Sequence, residues 1–441
     1  MTALKVTFVT LGCKVNQYDT EAIKDQFFKK GFEIVTDQNS ADVFVINTCT
    51  VTNLADKKSR QYIRRVKRNN PESVVAAIGC YVQANPEKVK EIQDIDIVLG
   101  TDNRKSLVKM VEDVLANKTG KKLELLAPTR KREGFEELSI TSFKEIKRSR
   151  HFLKVQEGCD RFCSYCIVPY ARGELRSRAP KEVIKEVERA IEAGFKEIVL
   201  TGINLGAYGR ETSEYPDLSG LVETIIGIDK EFRIRLSSCE PQEITPELID
   251  LVTESSKVCS HLHIPLQNGD DEILSKMNRS YTTDDYYNLI TDIKKKNPLI
   301  ALSTDVMVGF PGEKEYHFEN TKDFLDKVGF SSLHVFQYSP RKYTKAAKLN
   351  EQVQNKVKKQ RSDSLIKISK QLSKRYQRNF VGEVVDVLVE RVERDYSEGL
   401  SGNYLNVKFP TTNNISEREF IKVLIDCVDD DYVYGLAQVN K

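Results

Sequence analysis

The chain has 441 residues, 68 basic against 65 acidic, for a formal net charge of +3. At roughly 150 residues per domain this length predicts about three domains, and 30% charged with 40% hydrophobic residues excludes a disordered or collagenous chain. No apolar run approaches the roughly 20 residues needed to span a bilayer, and the start, Met1-Thr2-Ala3-Leu4-Lys5-Val6, lacks a signal-peptide layout, which together favour the cytoplasm and no membrane partner.

Residues 1–117 read as alternating strands and helices. Short Val- and Ile-rich runs at 5–11, 42–48, 74–79 and 95–100 predict buried parallel strands, with helices at 19–30 and 54–68 between them. This is an N-terminal parallel-sheet α/β domain. Residues 118–144 are a charged linker, marked by Lys118-Thr119-Gly120-Lys121-Lys122 and Thr129-Arg130-Lys131-Arg132, with strand content at 123–126.

A second βα series fills 145–376. Its strands are predicted at 152–156, 197–202, 232–237, 261–267, 300–309 and 332–338, with helices such as 180–193 and 315–328 between them. Six βα units with right-handed crossovers predict a partial (β/α)6 barrel or a strongly curved sheet. Residues 341–378 hold 13 Lys or Arg against Glu351 and Asp363 and read as a long basic helix with a flanking loop. From 377 to 441 the pattern alternates in short strands, with turns at Ser401-Gly402-Asn403 and Asp429-Asp430-Asp431, which predicts a small all-β barrel.

Nine cysteines, an odd number in a large chain, argue against a disulfide framework and for metal or redox chemistry. With only five His, a His-built metal centre is disfavoured. Cys159-x3-Cys163-x2-Cys166 follows the first strand of the second series, at the mouth where βα barrels place their chemistry. Three thiolates can hold three irons of a [4Fe–4S] cluster and leave the fourth open to a small molecule. A structural zinc site would take four protein ligands, and no fourth Cys or His stands nearby. Cys13, Cys49 and Cys80 each follow a predicted parallel strand, and C-terminal strand ends share one edge of such a sheet. They can converge as a second three-thiolate site. Buried structural thiols are the plainer alternative for either triad. Cys239, Cys259 and Cys427 read as structural, Cys239 standing at a strand end that faces the mouth.

Gly202, Ser237, Gln267 and Gly309 end successive barrel strands, while His261 and His263 alternate on one strand face as interior hydrogen-bonding residues. Three segments have the local basicity that phosphate binding needs, or present a solvated charged face. One is the helix with Lys57, Lys58, Arg60, Arg64, Arg65, Lys67 and Arg68; the second is Arg172, Arg176 and Arg178 after the cysteine loop; the third is 341–378. Residues 379–441 carry 6 basic and 12 acidic residues, so bulk charge cannot bring that barrel to RNA, although Arg391, Arg394 and Lys408 could form a local basic face.

The segment 155–166 resembles the radical S-adenosylmethionine (SAM) superfamily. That resemblance implies that the open iron chelates SAM, whose sulfonium is cleaved by one electron to a 5′-deoxyadenosyl radical. Tyr165 would lie against the adenine, and Thr201-Gly202-Ile203-Asn204-Leu205-Gly206 would face the methionine end. Two triads in this order resemble the methylthiotransferase family. Residues 11–21, residues 47–53 and Tyr170-Ala171-Arg172-Gly173 match its MtaB subgroup, which modifies threonylcarbamoyladenosine in tRNA. The isopentenyladenosine and ribosomal-protein subgroups differ in the loop after the first cysteine, and they supply the alternative substrates. The C-terminal module resembles a TRAM domain.

The resemblance implies conversion of N6-threonylcarbamoyladenosine at tRNA position 37 to its 2-methylthio derivative, with the methyl from SAM. Cys159, Cys163 and Cys166 would hold the radical-generating [4Fe–4S] cluster, and Cys13, Cys49 and Cys80 an auxiliary one. No catalytic residue beyond the cluster ligands is implied. Tyr165, Gly202, Asn204, Ser237, Gln267 and Gly309 would contact the cofactor, and Arg172, Arg176, Arg178 and Arg341 the substrate. The partners would be a tRNA anticodon stem-loop and a low-potential donor such as flavodoxin or ferredoxin. Two segments depart from the family pattern: Gln267-Asn268-Gly269-Asp270 stands where Gln-Ser-Gly is usual, and Arg341-Lys342-Tyr343-Thr344 where Arg-Pro-Gly-Thr is common.

Overall fold

Val- and Ile-rich segments that bury both faces form the first sheet of the computed structural model, which describes residues 3–37, 41–117, 122–126, 134–412, 415–429 and 432–438. Most of the predicted linker's charged residues lie outside these. The chain divides into two units. Unit one comprises 1–147, 154–186 and 339–347; unit two comprises 148–153, 187–338 and 348–441.

In unit one the elements run β1 (Lys5–Thr10), α1 (Lys14–Lys29), β2 (Glu33–Ile34), β3 (Val43–Thr48), α2 (Asn53–Asn69), β4 (Val74–Gly79), α3 (Cys80–Ala84), α4 (Pro86–Lys90), β5 (Ile97–Leu99), α5 (Leu107–Asn117) and β6 (Leu123–Leu125). The sheet order is β2-β1-β3-β4-β5-β6, with every pair parallel. Ile23, Phe27, Leu107 and Val111 cover one face and Ile63, Val66, Tyr81 and Val82 the other, so β3 and β4 are buried at every residue. Helix α1 starts directly after Cys13, five residues earlier than the hydrophobic pattern predicts. Farther along, β8 (Gln156–Glu157) pairs antiparallel with β9 (Arg176–Ser177), and the loop between them carries α6 (Val168–Arg172).

Two elements cross the division, β7 (Arg150–Lys154), in unit two up to Leu153, and α7 (Pro180–Glu192), in unit two from Val187; unit two then holds β10 (Glu197–Thr201), α8 (Leu218–Ile226), β11 (Arg233–Leu236), α9 (Pro246–Glu254), β12 (His261–His263), α10 (Asp271–Lys276), α11 (Thr283–Lys296), β13 (Ala301–Val308), α12 (Glu315–Val328) and β14 (Ser332–Gln337). Two three-stranded sheets, β7-β10-β11 and β12-β13-β14, are joined by parallel bridges at Ile234–Val258 and Ser238–His263. The result is the partial (β/α)6 barrel. The fourth strand ends at His263 rather than at 267, because Pro265 has no N–H to continue a ladder.

Helix α13 (Asn355–Arg378) packs along β14 and turns Leu365 and Leu372 inward. Part of its positive charge is internal: Arg361 donates to the Glu313 carboxylate at 2.6 Å, and Lys358 to the Tyr338 carbonyl at 3.2 Å. Strands β15 (Val384–Val392), β16 (Tyr396–Ser401), β17 (Asn406–Pro410), β18 (Phe420–Val428) and β19 (Val433–Ala437) close into a barrel ordered β15-β16-β17-β19-β18. Val387, Val389, Val407, Phe409 and Val423 fill it. Buried Glu197 binds Arg233 and Arg235 at 2.6 and 2.7 Å, and these arginines donate onward to the Leu400 and Ser401 carbonyls at 2.7 and 2.9 Å. Burial alone would raise the Glu197 carboxyl; Arg235 and Arg233 outweigh it and hold the group at about 2. Among the described residues no helix is long and apolar enough to cross a membrane.

Candidate iron–sulfur site

All six grouped cysteines lie in unit one. Cys13 is the N-cap of α1, Cys49 follows β3 directly and Cys80 follows β4 directly. The parallel register sets β3 between β1 and β4, so the three thiols share one sheet edge. The approach is close: a Cβ on Gly12 would stand 3.2 Å from Cys49 Sγ. Burial pushes the Cys49 thiol up to about 11, and the neighbouring Cys80 and Cys13 add to the rise. Burial also raises Cys80, against the pull of Arg172.

Cys159, Cys163 and Cys166 sit half-buried on the loop between β8 and β9. The Cys159 N–H donates to Gly173 O at 3.0 Å, and the Cys166 N–H to Cys163 O at 2.9 Å. Three of the six cysteines follow a glycine in the left-handed region: Gly12 at φ +106°, Gly79 at +93° and Gly158 at +77°. A Cβ at Gly158 would lie 1.7 Å from Glu174 O, so no other residue fits there.

Six thiols free of disulfides fit two clusters of this kind. Sulfurs around one zinc would lie about 3.8 Å apart, from a Zn–S bond of about 2.3 Å. Among the described residues no three cysteine sulfurs lie within 4.8 Å of one another; the group that does is His263, Asp305 and His334 of unit two. Because thiols must lose protons to ligate, the raised proton affinity of Cys49 and Cys80 makes cluster loading at their triad release protons.

A buried ion network supports both triads. Arg172 donates from Nε to Cys80 Sγ at 3.2 Å and from its terminal nitrogens to Asp19 at 3.2 Å, to Glu157 and to the Asn16 side-chain oxygen. Arg104 binds Asp19 at 2.5 Å and Glu157 at 2.9 Å, and Lys154 binds the same two carboxylates at 2.5 and 3.0 Å. Burial would raise Asp19 and Glu157; Arg104, Lys154 and Arg172 outweigh it, leaving both lowered. Sequence reasoning missed Asn16, Asp19, Arg104, Lys154 and Glu157. The available signal was Asn16 and Asp19, three residues apart and so on one face of α1 just after Cys13.

The arginines expected at the substrate are drawn into this network and its surroundings. Arg172, Arg176 and Arg178 are buried, and each pairs with a carboxylate of the protein itself. Arg176 pairs with Asp102 at 3.3 Å, and Arg178 with Glu186 at 2.8 Å and with Glu137. Arg341 is buried too, donating to Asn53, Thr50 and Asp56, each at 2.7 Å. Desolvated cations need carboxylate partners, and each of these four has one, so their charge is held inside the site. An exposed basic face lies on α2, where Lys57, Lys58, Arg64, Arg65 and Arg68 face outward, and α13 exposes Lys356, Lys359, Lys367, Lys370 and Arg375. In the C-terminal barrel, Arg391 pairs with Glu393 at 2.5 Å and Lys408 with Glu398 at 4.0 Å.

Tyr165 is half-buried in unit one. In unit two Gly202, Asn204, Ser237, Gln267 and Gly309 stand at C-terminal strand ends. Asn204 donates to Glu243 at 2.9 Å. The Gly309 N–H donates to Glu313 at 3.0 Å, with the Lys358 stem covering its α-carbon. Ser237 Oγ and Gln267 Oε1 are buried polar atoms that find no partner among the described residues. Gln267 also holds φ +69°, a backbone strain that marks functional sites. Orphaned acceptors at a barrel mouth fit a polar cofactor. Ser303 joins His261 at 3.1 Å and His263 at 2.9 Å, which makes them interior hydrogen-bonding residues as expected. Cys239 and Cys259 are buried, whereas Cys427 is exposed where a bulge interrupts β18.

Residues 5–100 match the uncharacterized protein family UPF0004, and residues 153–325 match the radical SAM superfamily. The chain is 42% identical over 415 residues to the threonylcarbamoyladenosine tRNA methylthiotransferase MtaB of Bacillus subtilis, spanning 93% of this chain and 91% of that protein. It is 37% identical to the MtaB of Aquifex aeolicus, over 92% of this chain and 96% of the other. The tRNA-2-methylthio-N(6)-dimethylallyladenosine synthase of Moorella thermoacetica is 35% identical, over 93% of each. The radical SAM methyltransferase TsrM of Kitasatospora setae shares the fold, with a TM-score of 0.58 and 15% identity over 79% of this chain and 77% of that one. With both cysteine triads gathered in one unit and matching relatives spanning nearly its full length, the chain belongs to the radical SAM methylthiotransferase family, in its MtaB branch.

Proposed function

We propose that this protein methylthiolates C2 of N6-threonylcarbamoyladenosine at position 37 of tRNA. The observation that carries the reading is 42% identity to a threonylcarbamoyladenosine-specific MtaB over 93% of the chain. When bound, two [4Fe–4S] clusters and SAM supply a 5′-deoxyadenosyl radical, a sulfur and a methyl group, chemistry that an unactivated aromatic C–H bond demands.

The chain's own contribution is to hold and orient these groups. Cys159, Cys163 and Cys166 would anchor the radical-generating cluster, and Cys13, Cys49 and Cys80 the auxiliary one. Arg172 places its N–H against Cys80 Sγ, a bond that favours the thiolate. Tyr165, Gly202, Asn204, Ser237, Gln267 and Gly309 are the proposed SAM contacts, with Ser237 Oγ and Gln267 Oε1 the unclaimed acceptors. A low-potential donor such as flavodoxin or ferredoxin in the cytoplasm would supply electrons. The target base must leave its stack to be reached.

Relatives named for dimethylallyladenosine, at 35% identity, make that nucleoside the competing substrate. Nucleoside mass spectrometry of tRNA from a deletion strain decides. Loss of 2-methylthio-N6-threonylcarbamoyladenosine is expected; its persistence with loss of the dimethylallyl derivative overturns the choice.

A further inference from the structure

Beside the contiguous triad, unit one exposes a short row of aromatic rings. Phe162, the residue before Cys163, is 44% exposed and Tyr343 is 48% exposed. Tyr170 connects them, edge-on to Phe162 and stacked on Tyr343, with both centroid distances 5.9 Å. Lys342 Nζ lies 4.9 Å from the Tyr343 ring. The backbone pays for this display. Phe162 has φ +46° and Tyr343 +73°, a region that bulky L-residues avoid.

Both strained residues keep close to half their surface exposed, so core burial does not account for the strain. The surroundings hold both in place. The Ala346 N–H donates to Ser164 O at 2.8 Å, joining the 341–347 loop to the cysteine loop. Arg341 pins the same loop to the start of α2, where Val51 and Leu54 are 54% and 61% exposed. Position 343 is also where the loop departs from the common Arg-Pro-Gly-Thr form. A glycine would adopt φ +73° without strain; this chain spends a tyrosine there and sets a lysine beside it.

Exposed rings with an adjacent cation, on a loop that Arg341 ties to the start of basic helix α2, match the chemistry of unstacked bases and their phosphates. We propose that Tyr343, supported by Tyr170 and Phe162, is a stacking platform for an unpaired nucleobase of the anticodon loop, with Lys342 on its phosphate. This inference rests on the tRNA reading above.

The test is fluorescence anisotropy of a labelled anticodon stem-loop carrying threonylcarbamoyladenosine, titrated with cluster-loaded protein without SAM or reductant. Tyr343→Gly suits the backbone, so melting midpoint and iron content should hold or rise. Its affinity should fall roughly ten-fold, the effect of losing one base–aromatic stack. Tyr343→Phe should bind as the parent does, and Lys342→Gln should lower the salt dependence by about one charge. Parent-like binding by Tyr343→Gly overturns the platform while the tRNA reading stands. Equal loss in Tyr343→Phe also overturns it, since the hydroxyl would then be the contact. Failure of the parent itself to bind the stem-loop, including capture of a protein partner instead, overturns the tRNA reading and the platform together.

Discussion

The two triads fit the same kind of cluster through opposite local architectures. Cys159, Cys163 and Cys166 lie within eight consecutive positions on one loop, all half-buried. Cys13, Cys49 and Cys80 come from three strand ends, and range from exposed through half-buried to buried. The loop triad depends on a few backbone torsions, Gly158 and Phe162 among them. The dispersed triad depends on the register of β1, β3 and β4, and so on a whole hydrophobic core. In the dispersed triad the Arg172 guanidinium donates to one of the sulfurs, Cys80 Sγ. A ligand set written into tertiary structure needs tertiary support.

The largest effects come from deleting either triad. Two [4Fe–4S] clusters mean about eight irons per chain after anaerobic reconstitution. Replacing Cys13, Cys49 and Cys80 together by Ala should leave about four irons and abolish methylthiolation while SAM is still cleaved to 5′-deoxyadenosine. Replacing Cys159, Cys163 and Cys166 should also leave about four, but with SAM cleavage lost. Iron analysis and product chromatography check both. Four irons in the intact protein would break the comparison at its root.

The two triads also differ in how far the sequence alone reveals them. The contiguous triad is legible from spacing, and its side chains need no fold to be near one another. The dispersed one becomes legible only after strands are placed, since Cys49 and Cys80 are linked by β3–β4 pairing and not by distance along the chain. The network behind them was invisible. Arg172 and Asp19 are 153 residues apart, so no local pattern announces their pairing. Read by composition, Arg172, Arg176 and Arg178 look like a surface patch; only burial shows that each has its own carboxylate. Glycine before cysteine at 12, 79 and 158 was a usable signal, because a left-handed torsion directly before a ligand aims the thiol.

Arg172→Met tests the tertiary support. It strips one cation from buried Asp19 and Glu157 and the donor from Cys80. Breaking a buried pair costs about 3 kcal/mol or more, readable as faster hydrogen exchange of α1 amides. Iron lost to a chelator should come from the dispersed triad. Arg172→Lys restores charge without the fork and should fall between. The pH sign follows from the lowered carboxyls. Their contribution is full above the unfolded values of about 3.9 and about 4.3, and is lost as pH falls through the folded ones. Removing a cation raises the folded values, so acid unfolding of unit one should begin at higher pH in Arg172→Met.

The smallest effect separates backbone strain from crowding at the dispersed triad. Gly31 and Gly12 both have positive φ, +84° and +106°. A Cβ at Gly31 meets nothing within 4 Å, whereas at Gly12 it would lie 2.9 Å from Asn16 Nδ2 and 3.2 Å from Cys49 Sγ. Gly31→Ala should therefore cost about 1 kcal/mol, the left-handed penalty alone, and leave iron content unchanged. Gly12→Ala should cost about 2 kcal/mol and slow iron loading of the dispersed triad, because its methyl group intrudes between a ligand sulfur and the Asn16 amide that braces Leu11 and Thr48. Equal iron loading in the two variants would mean that the dispersed site tolerates displacement as readily as a loop does, and the contrast between the triads would be one of sequence spacing only.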